Sequence, residues 1–255
     1  MKLHWATYAC ELLGTCTLVF VGLSAATFDF GQGLPMERWV PSVSARLLIT
    51  GLLFSGTGAL TAISPIGKRS GAHINPCVTL AFWIRRTMHG VDALMYMAAQ
   101  FIGGILGALL LAAVWGEYAY SVTYGATSVG PHFTVPVAFL AEFALTFVLV
   151  GMILLFVSSK RLMRKTPLMV WLLVGAMVWQ EAPVSGTSLN PARSFGPAWM
   201  AGLWTDQWLY FVAPLLGAAT AALLFPVILG AALLSALGPA EAAVRGSLVE
   251  ALEYE

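Results

Sequence analysis

Ser70-Gly71-Ala72-His73-Ile74-Asn75-Pro76-Cys77-Val78-Thr79 and Ser185-Gly186-Thr187-Ser188-Leu189-Asn190-Pro191-Ala192-Arg193-Ser194 are two copies of one pattern. Proline just inside a helix start gives up an N–H that has no intrahelical partner, and asparagine before it is a good N-cap. Each Asn-Pro therefore reads as the first turn of a short helix entered through a close-packed Ser-Gly approach. The apolar stretches that follow, Asn75–Ile84 and Asn190–Met200, are too short to cross a bilayer, which takes about 20 residues. Read as re-entrant segments, they need an approach that is buried in protein or lines a water-filled cavity, because non-helical backbone does not survive against lipid.

Outward from these motifs the chain is built for lipid. Hydrophobic residues make up 59% of 255 positions and charged residues 10%, an excess of apolar surface that a soluble domain cannot hide. Six long apolar segments are predicted as spans: Trp5–Phe28, Val43–Ser64, Asp92–Trp115, Val135–Ser158, Pro167–Val184 and Trp208–Leu237. The basic residues Lys2, Lys68, Arg69, Arg85, Arg86, Lys160, Arg161, Arg164 and Lys165 all fall on one side of that topology, which is expected to be cytoplasmic and to carry both termini. Arg193, on the opposite side, calls for a reason other than topology. The net charge of +1 and the short, scattered basic segments exclude a nucleic-acid partner. Cys10, Cys16 and Cys77 have neither disulfide nor metal-ligand spacing, and no cofactor or metal is expected.

The two halves match. Ala9-Cys10-Glu11-Leu12-Leu13-Gly14-Thr15 in the first span parallels Leu140-Ala141-Glu142-Phe143-Ala144-Leu145-Thr146 in the fourth, and Gly103-Gly104-Ile105-Leu106-Gly107 parallels Ala213-Pro214-Leu215-Leu216-Gly217. With three spans per half, the second copy is inserted upside down. The expected fold is therefore an all-α membrane protein of six transmembrane helices plus two re-entrant half-helices in an inverted repeat. Residues 1–130 form the first repeat, 131–238 the second, and 239–255 a cytoplasmic tail. The half-helix N-termini then meet near mid-membrane, where each contributes roughly half a positive charge. Side-chain amides of Asn75 and Asn190 stand there to donate to a small polar solute.

These two motifs resemble the signature loops of the aquaporin or major intrinsic protein family, and the similarity runs through nearly the whole chain. Arg193-Ser194-Phe195-Gly196-Pro197-Ala198 is similar to the water-channel branch, whereas Cys77 departs from the usual Asn-Pro-Ala of the first loop. The resemblance implies an aquaporin-like right-handed bundle with pore motifs Asn75, Pro76, Cys77 and Asn190, Pro191, Ala192. It also implies a homotetramer with one pore per subunit, and an outer filter of four residues. Counting along this sequence places that filter at Arg193, Thr187, Val178 and Ser55. An error of one residue in a helix turns the side chain by about 100°, which would substitute Phe54 for Ser55 or Trp179 for Val178. By the same resemblance Glu11 and Glu142 accept hydrogen bonds from the re-entrant loops.

His73 either lines the cytoplasmic half of the pore or packs the loop. Cys77 is either a small helix-start residue or a thiol near the lumen that makes permeation sensitive to mercurials. Glu181 lies unexpectedly close to the second loop, and two readings stay open for it: a cap on loop backbone, or a subunit contact. The function expected is a passive channel in the cytoplasmic membrane for water and small neutral solutes such as hydrogen peroxide, ammonia or a small polyol, excluding protons and ions. Inverted repeats with broken helices also build coupled secondary transporters, which is the alternative; those usually bring intramembrane acids or other ion ligands to the midplane. No nucleophile–base pair or His/Cys/Asp cluster at either motif points to an enzyme.

Overall fold

The structure, a computed structural model, describes residues 3–227 together with 229 and 230. The expected tail 239–255, Lys2, and the ends of the sixth span and second repeat lie outside the described residues.

Among the described residues, six helices have the length and apolarity to cross a membrane. In chain order with the two half-helices, they are α1 (Trp5–Phe30), α2 (Val43–Ile63), half-helix α3 (Pro76–Ile84) and α4 (Gly90–Trp115). They continue with α5 (Val135–Val157), α6 (Thr166–Ser185), half-helix α7 (Pro191–Ala201) and α8 (Leu209–Val227). The chain is thus an integral, multi-pass membrane protein. Expected and observed spans differ by a few residues at their ends, where caps and not hydropathy decide. Ser64, for example, stops α2 and at once caps a short helix, Pro65–Ser70, by accepting from the Gly67 N–H at 3.3 Å. Pro183 is accommodated in the last turn of α6. The connections between α1 and α2 and between α4 and α5 contain short helices at Met36–Trp39 and Glu117–Ser121.

Small residues set the spacing of the bundle. A Cβ at Gly103 of α4 would stand 2.3 Å from the Leu12 carbonyl oxygen of α1, and one at Gly217 of α8 would stand 2.4 Å from the Phe143 carbonyl oxygen of α5. The third span of each half therefore lies backbone-to-backbone on the first span of that half, at matched positions. Gly104 and Gly196 do the same for α4 against the half-helix α7: their added Cβ atoms would meet the carbonyl oxygens of Ala192 and Gly104, each at 2.2 Å. Without a hydrophobic drive between helices in lipid, this close van der Waals approach is a main source of association. The outward faces keep large apolar residues exposed, among them Leu60, Leu94, Leu140 and Leu223, as a lipid-facing surface requires.

Candidate functional site

The two loops that precede the half-helices have the same backbone. Gly71, Ala72 and Ile74 have φ of 86, 51 and 42°, and Gly186, Thr187 and Leu189 have φ of 82, 50 and 52°. Ile74 and Thr187 are β-branched, so a left-handed backbone there is strained and persists only when surrounding contacts over-determine it. Those contacts come from one buried glutamate per half. Glu11 Oε1 accepts from the His73 N–H at 3.0 Å and Oε2 from the Ile74 N–H at 2.6 Å; Glu142 Oε1 accepts from Ser188 N–H at 2.6 Å and Oε2 from Leu189 N–H at 2.9 Å.

Further bonds repeat the correspondence. Tyr96 and Tyr210 each donate their hydroxyl, at 2.8 Å, to the carbonyl of the serine that opens the loop, Ser70 or Ser185. Those serines accept in turn from the Ala72 and Thr187 N–H groups at 3.2 and 3.3 Å. The halves differ in the remaining glutamate ligand, which is Gln100 Nε2 at 2.7 Å on Glu11 and Ser185 Oγ at 2.6 Å on Glu142.

At the loop tips the motifs interlock. The side-chain oxygen of Asn75 accepts from the Cys77 N–H at 2.8 Å, and that of Asn190 from the Ala192 and Arg193 N–H groups at 3.1 and 3.3 Å, so both residues cap their half-helices. Each amide nitrogen then crosses to the other loop: Asn75 Nδ2 donates to the Leu189 carbonyl at 2.8 Å, and Asn190 Nδ2 to the Ile74 carbonyl at 2.9 Å. An amide has two N–H donors, so one per asparagine remains for a solute. Pro76 and Pro191 occupy the first helical position behind these caps.

Both asparagines border a cavity of about 590 Å³ whose lining runs from Lys68, Thr166 and Pro167 to Phe54, Ser55 and Thr187. Its wall is mostly apolar and includes Ile74, Leu149, Ile153 and Val174. Lys68 and His73 are its only ionisable residues among the described ones. The His73 ring borders the cavity, sits 3.2 Å through Nδ1 from Thr79 Oγ1, and packs on Phe82 and Tyr96.

Beyond the cavity lies Arg193, buried from the first turn of α7. Its Nη1 donates to the Gly125 carbonyl at 3.0 Å, and its guanidinium carbon stands 5.5 Å from the centre of the Phe54 ring. Phe54, not Ser55, is therefore the α2 residue brought to the arginine. Ser55 is turned to the neighbouring helix, its hydroxyl 2.6 Å from the Gly51 carbonyl and 2.8 Å from the Trp171 carbonyl of α6. Ser55 still borders the cavity beside Phe54; counting back from Asn75 passes through the Pro65–Ser70 helix and an irregular loop, where a helical period does not hold, so the count does not separate the two.

On α6, Val178 packs at the crossing with α2, its Cβ 3.0 Å from the position of a Cβ on Gly51, and it is not in the cavity wall. Trp179 faces away, half exposed, with its indole N–H on Ser44 Oγ at 2.8 Å. Thr187 does border the cavity, and its hydroxyl donates to Glu181 Oε2 at 2.5 Å. Glu181 thus bonds a side chain of the loop.

Cys77 has no exposure and packs among Ala81, Val150, Leu154 and Ala218, away from the cavity. Sequence reading missed Tyr96 and Tyr210, although each stands seven residues before its matched glycine, Gly103 or Gly217, a spacing visible in the chain. It also missed Gly125, whose carbonyl holds Arg193, and no local pattern marks it.

Comparison with known proteins agrees with this architecture. The family model described as Major intrinsic protein matches residues 2–225. Aquaporin TIP4-2 of Zea mays is 34% identical over 215 residues, which span 84% of this chain and 81% of that protein. The lens fiber major intrinsic protein of Homo sapiens is 31% identical over 239 residues, covering 88% and 81%. Among solved structures, the aquaglyceroporin from Plasmodium falciparum superposes with a TM-score of 0.72 over 87% of this chain and 95% of that one, at 22% identity, a likeness of fold.

Proposed function

The chain belongs to the major intrinsic protein family, and on that premise we propose that it is a passive channel for water and other small neutral solutes that excludes protons and ions. The observation that carries the reading is the crossed pair of asparagines. Two half-helix N-termini are held head to head, each with one spare amide N–H, at a cavity whose wall among the described residues contains no carboxylate.

A unit cation about 5 Å from two half-charges meets a barrier of roughly 3 kcal/mol at an effective dielectric of 20, before any cost of dehydration. A neutral solute that accepts a hydrogen bond meets donors. This is the account given for aquaporin-type channels in general, through pore width, lining donors and half-helix dipoles. A coupled transporter needs an ion site at the substrate, and the bordering side chains, chiefly amide and apolar, supply none.

We assign the outer constriction to Arg193, Thr187 and Phe54. Arg193 adds a fixed charge against cations, and Phe54 covers it with an aromatic face worth about 0.5–2 kcal/mol. With Phe54 beside the arginine the filter is narrower than with Ser55 there. His73 lines the cytoplasmic half. The basic connections favour a cytoplasmic membrane with both termini inside. The family's usual homotetramer, with one pore in each subunit, is the assembly we expect.

Stopped-flow light scattering of proteoliposomes tests the channel. We expect water permeability well above that of empty vesicles with no proton leak. Permeability equal to empty vesicles, from protein that is folded and inserted, overturns the reading.

A further inference from the structure

Glu11 and Glu142 are a matched pair, but Glu181 has no counterpart. It stands six residues before Thr187, and six residues before the matching Ala72 the chain has Ile66. A carboxyl buried in the last turn of a membrane-spanning helix is costly and calls for a partner. Only one of its oxygens has one: Oε2 accepts the Thr187 hydroxyl at 2.5 Å, while Oε1 is buried without a hydrogen-bond partner among the described residues.

Thr187 is held hard. It is β-branched at φ 50°, its N–H is committed to Ser185 Oγ at 3.3 Å, and its side chain borders the cavity beside Asn190. A hydroxyl has one proton and two lone pairs. With the proton given to Glu181, Thr187 can offer a passing solute only acceptor capacity. Arg193, six residues on, has only donors, and its Nε is buried with no partner among the described residues. Phe54 closes the ring with an apolar face.

We propose that Glu181 is a positioning residue that sets the hydrogen-bond polarity of the constriction, fixing Thr187 as an acceptor opposite the donors of Arg193. The constriction then favours small neutral solutes that donate and accept at separate atoms, and hydrogen peroxide, which can donate to Thr187 from one oxygen while the other accepts from Arg193, is the probe of that class against single-oxygen water. The inference rests on the channel reading and deepens it.

The measurement is the ratio of peroxide to water permeability in proteoliposomes. We expect Glu181→Leu, which frees the threonine proton to rotate toward the lumen, to lower that ratio about threefold to tenfold, the worth of one net hydrogen bond. Glu181→Gln, whose amide oxygen still accepts, restores it. Thr187→Val lowers it similarly and Thr187→Ser does not, an arm that holds even if Glu181→Leu fails to fold. Adding Glu181→Leu to Thr187→Val changes the ratio no further, because the two residues act through one hydroxyl.

A ratio unmoved by Glu181→Leu, or effects of the two substitutions that add, overturns the proposal. So does a wild-type protein that conducts water but no peroxide. Absence of water conduction in the wild type sinks the channel reading instead.

Discussion

Removing the carboxyl of Glu142 tests how the pore loops are held. In Glu142→Leu the N–H groups of Ser188 and Leu189, which donate to it at 2.6 and 2.9 Å, lose their acceptor in a site with no exposure. An orphaned buried donor costs about 1–3 kcal/mol, so the loop that carries Thr187, Leu189 and Asn190 loses about 2–6 kcal/mol. Folded proteins are stable by about 5–15 kcal/mol in total, and Leu189 is held at φ 52°, a conformation the chain leaves once released. The Leu189 carbonyl would then no longer receive Asn75 Nδ2, and the crossed asparagines would part.

The expected result is a water permeability below about a tenth of wild type, since 1.4 kcal/mol is already tenfold in a two-state equilibrium, together with a lower melting temperature in detergent. Ser185→Ala removes the hydroxyl that donates to Glu142 at 2.6 Å and accepts from the Thr187 N–H at 3.3 Å but leaves both N–H bonds to the carboxylate, so it is expected to cost about 1–3 kcal/mol, less than Glu142→Leu, and keep the pore open. Stopped-flow measurements normalised to inserted protein check both. Wild-type permeability per channel in Glu142→Leu would refute the claim that the carboxylate holds the loop.

Other substitutions address the constriction and the bundle. Phe54→Ala uncovers the guanidinium and widens the outer opening, so glycerol and urea fluxes rise relative to water. Ser55→Ala leaves that ratio alone and costs stability of about 0.5–1.5 kcal/mol through the lost bond to Trp171; light scattering with each solute separates the two. Arg193→Val is expected to keep water flux and admit protons, read with a pH dye inside the vesicles, and unchanged exclusion would assign the barrier to the half-helix dipoles alone. Mercurials should leave water flux intact, because the Cys77 thiol is wholly buried among apolar side chains; block that disappears in Cys77→Ala would contradict that packing. Gly217→Ala forces a Cβ against the Phe143 carbonyl and should destabilise by about 1–3 kcal/mol in a thermal melt, whereas Gly151→Ala, with open space around it, should not.

The spans, the two half-helices and the paired glutamates were legible because each is written locally. Twenty apolar residues, an Asn-Pro at a helix start and an acid in an apolar helix carry their meaning wherever the chain goes. The filter was harder. Arg193 and Thr187 lie within three residues of Asn190, and little conformational freedom separates them from the motif. Ser55 and Phe54 are separated from Asn75 by a helix end, a second short helix and three left-handed residues, so no period connects them. One step along α2 decides whether a hydroxyl or an aromatic ring meets the arginine.

By itself, then, the sequence determined the membrane fold, its two matching halves and the asparagines at their centre, since hydropathy, capping and repetition are properties of consecutive residues. Only the tertiary structure decided how those asparagines are used. Each caps its own half-helix with its oxygen and ties the opposite loop with its nitrogen, a contact between residues more than a hundred positions apart. It likewise decided that Phe54 covers Arg193, that the Gly125 carbonyl holds it, and that Glu181 takes the Thr187 proton. The physical reason is common to all of these. Burial in lipid obliges backbone polar groups to find partners, and which partner comes within 3 Å is set by helix packing around the glycines, not by position along the chain.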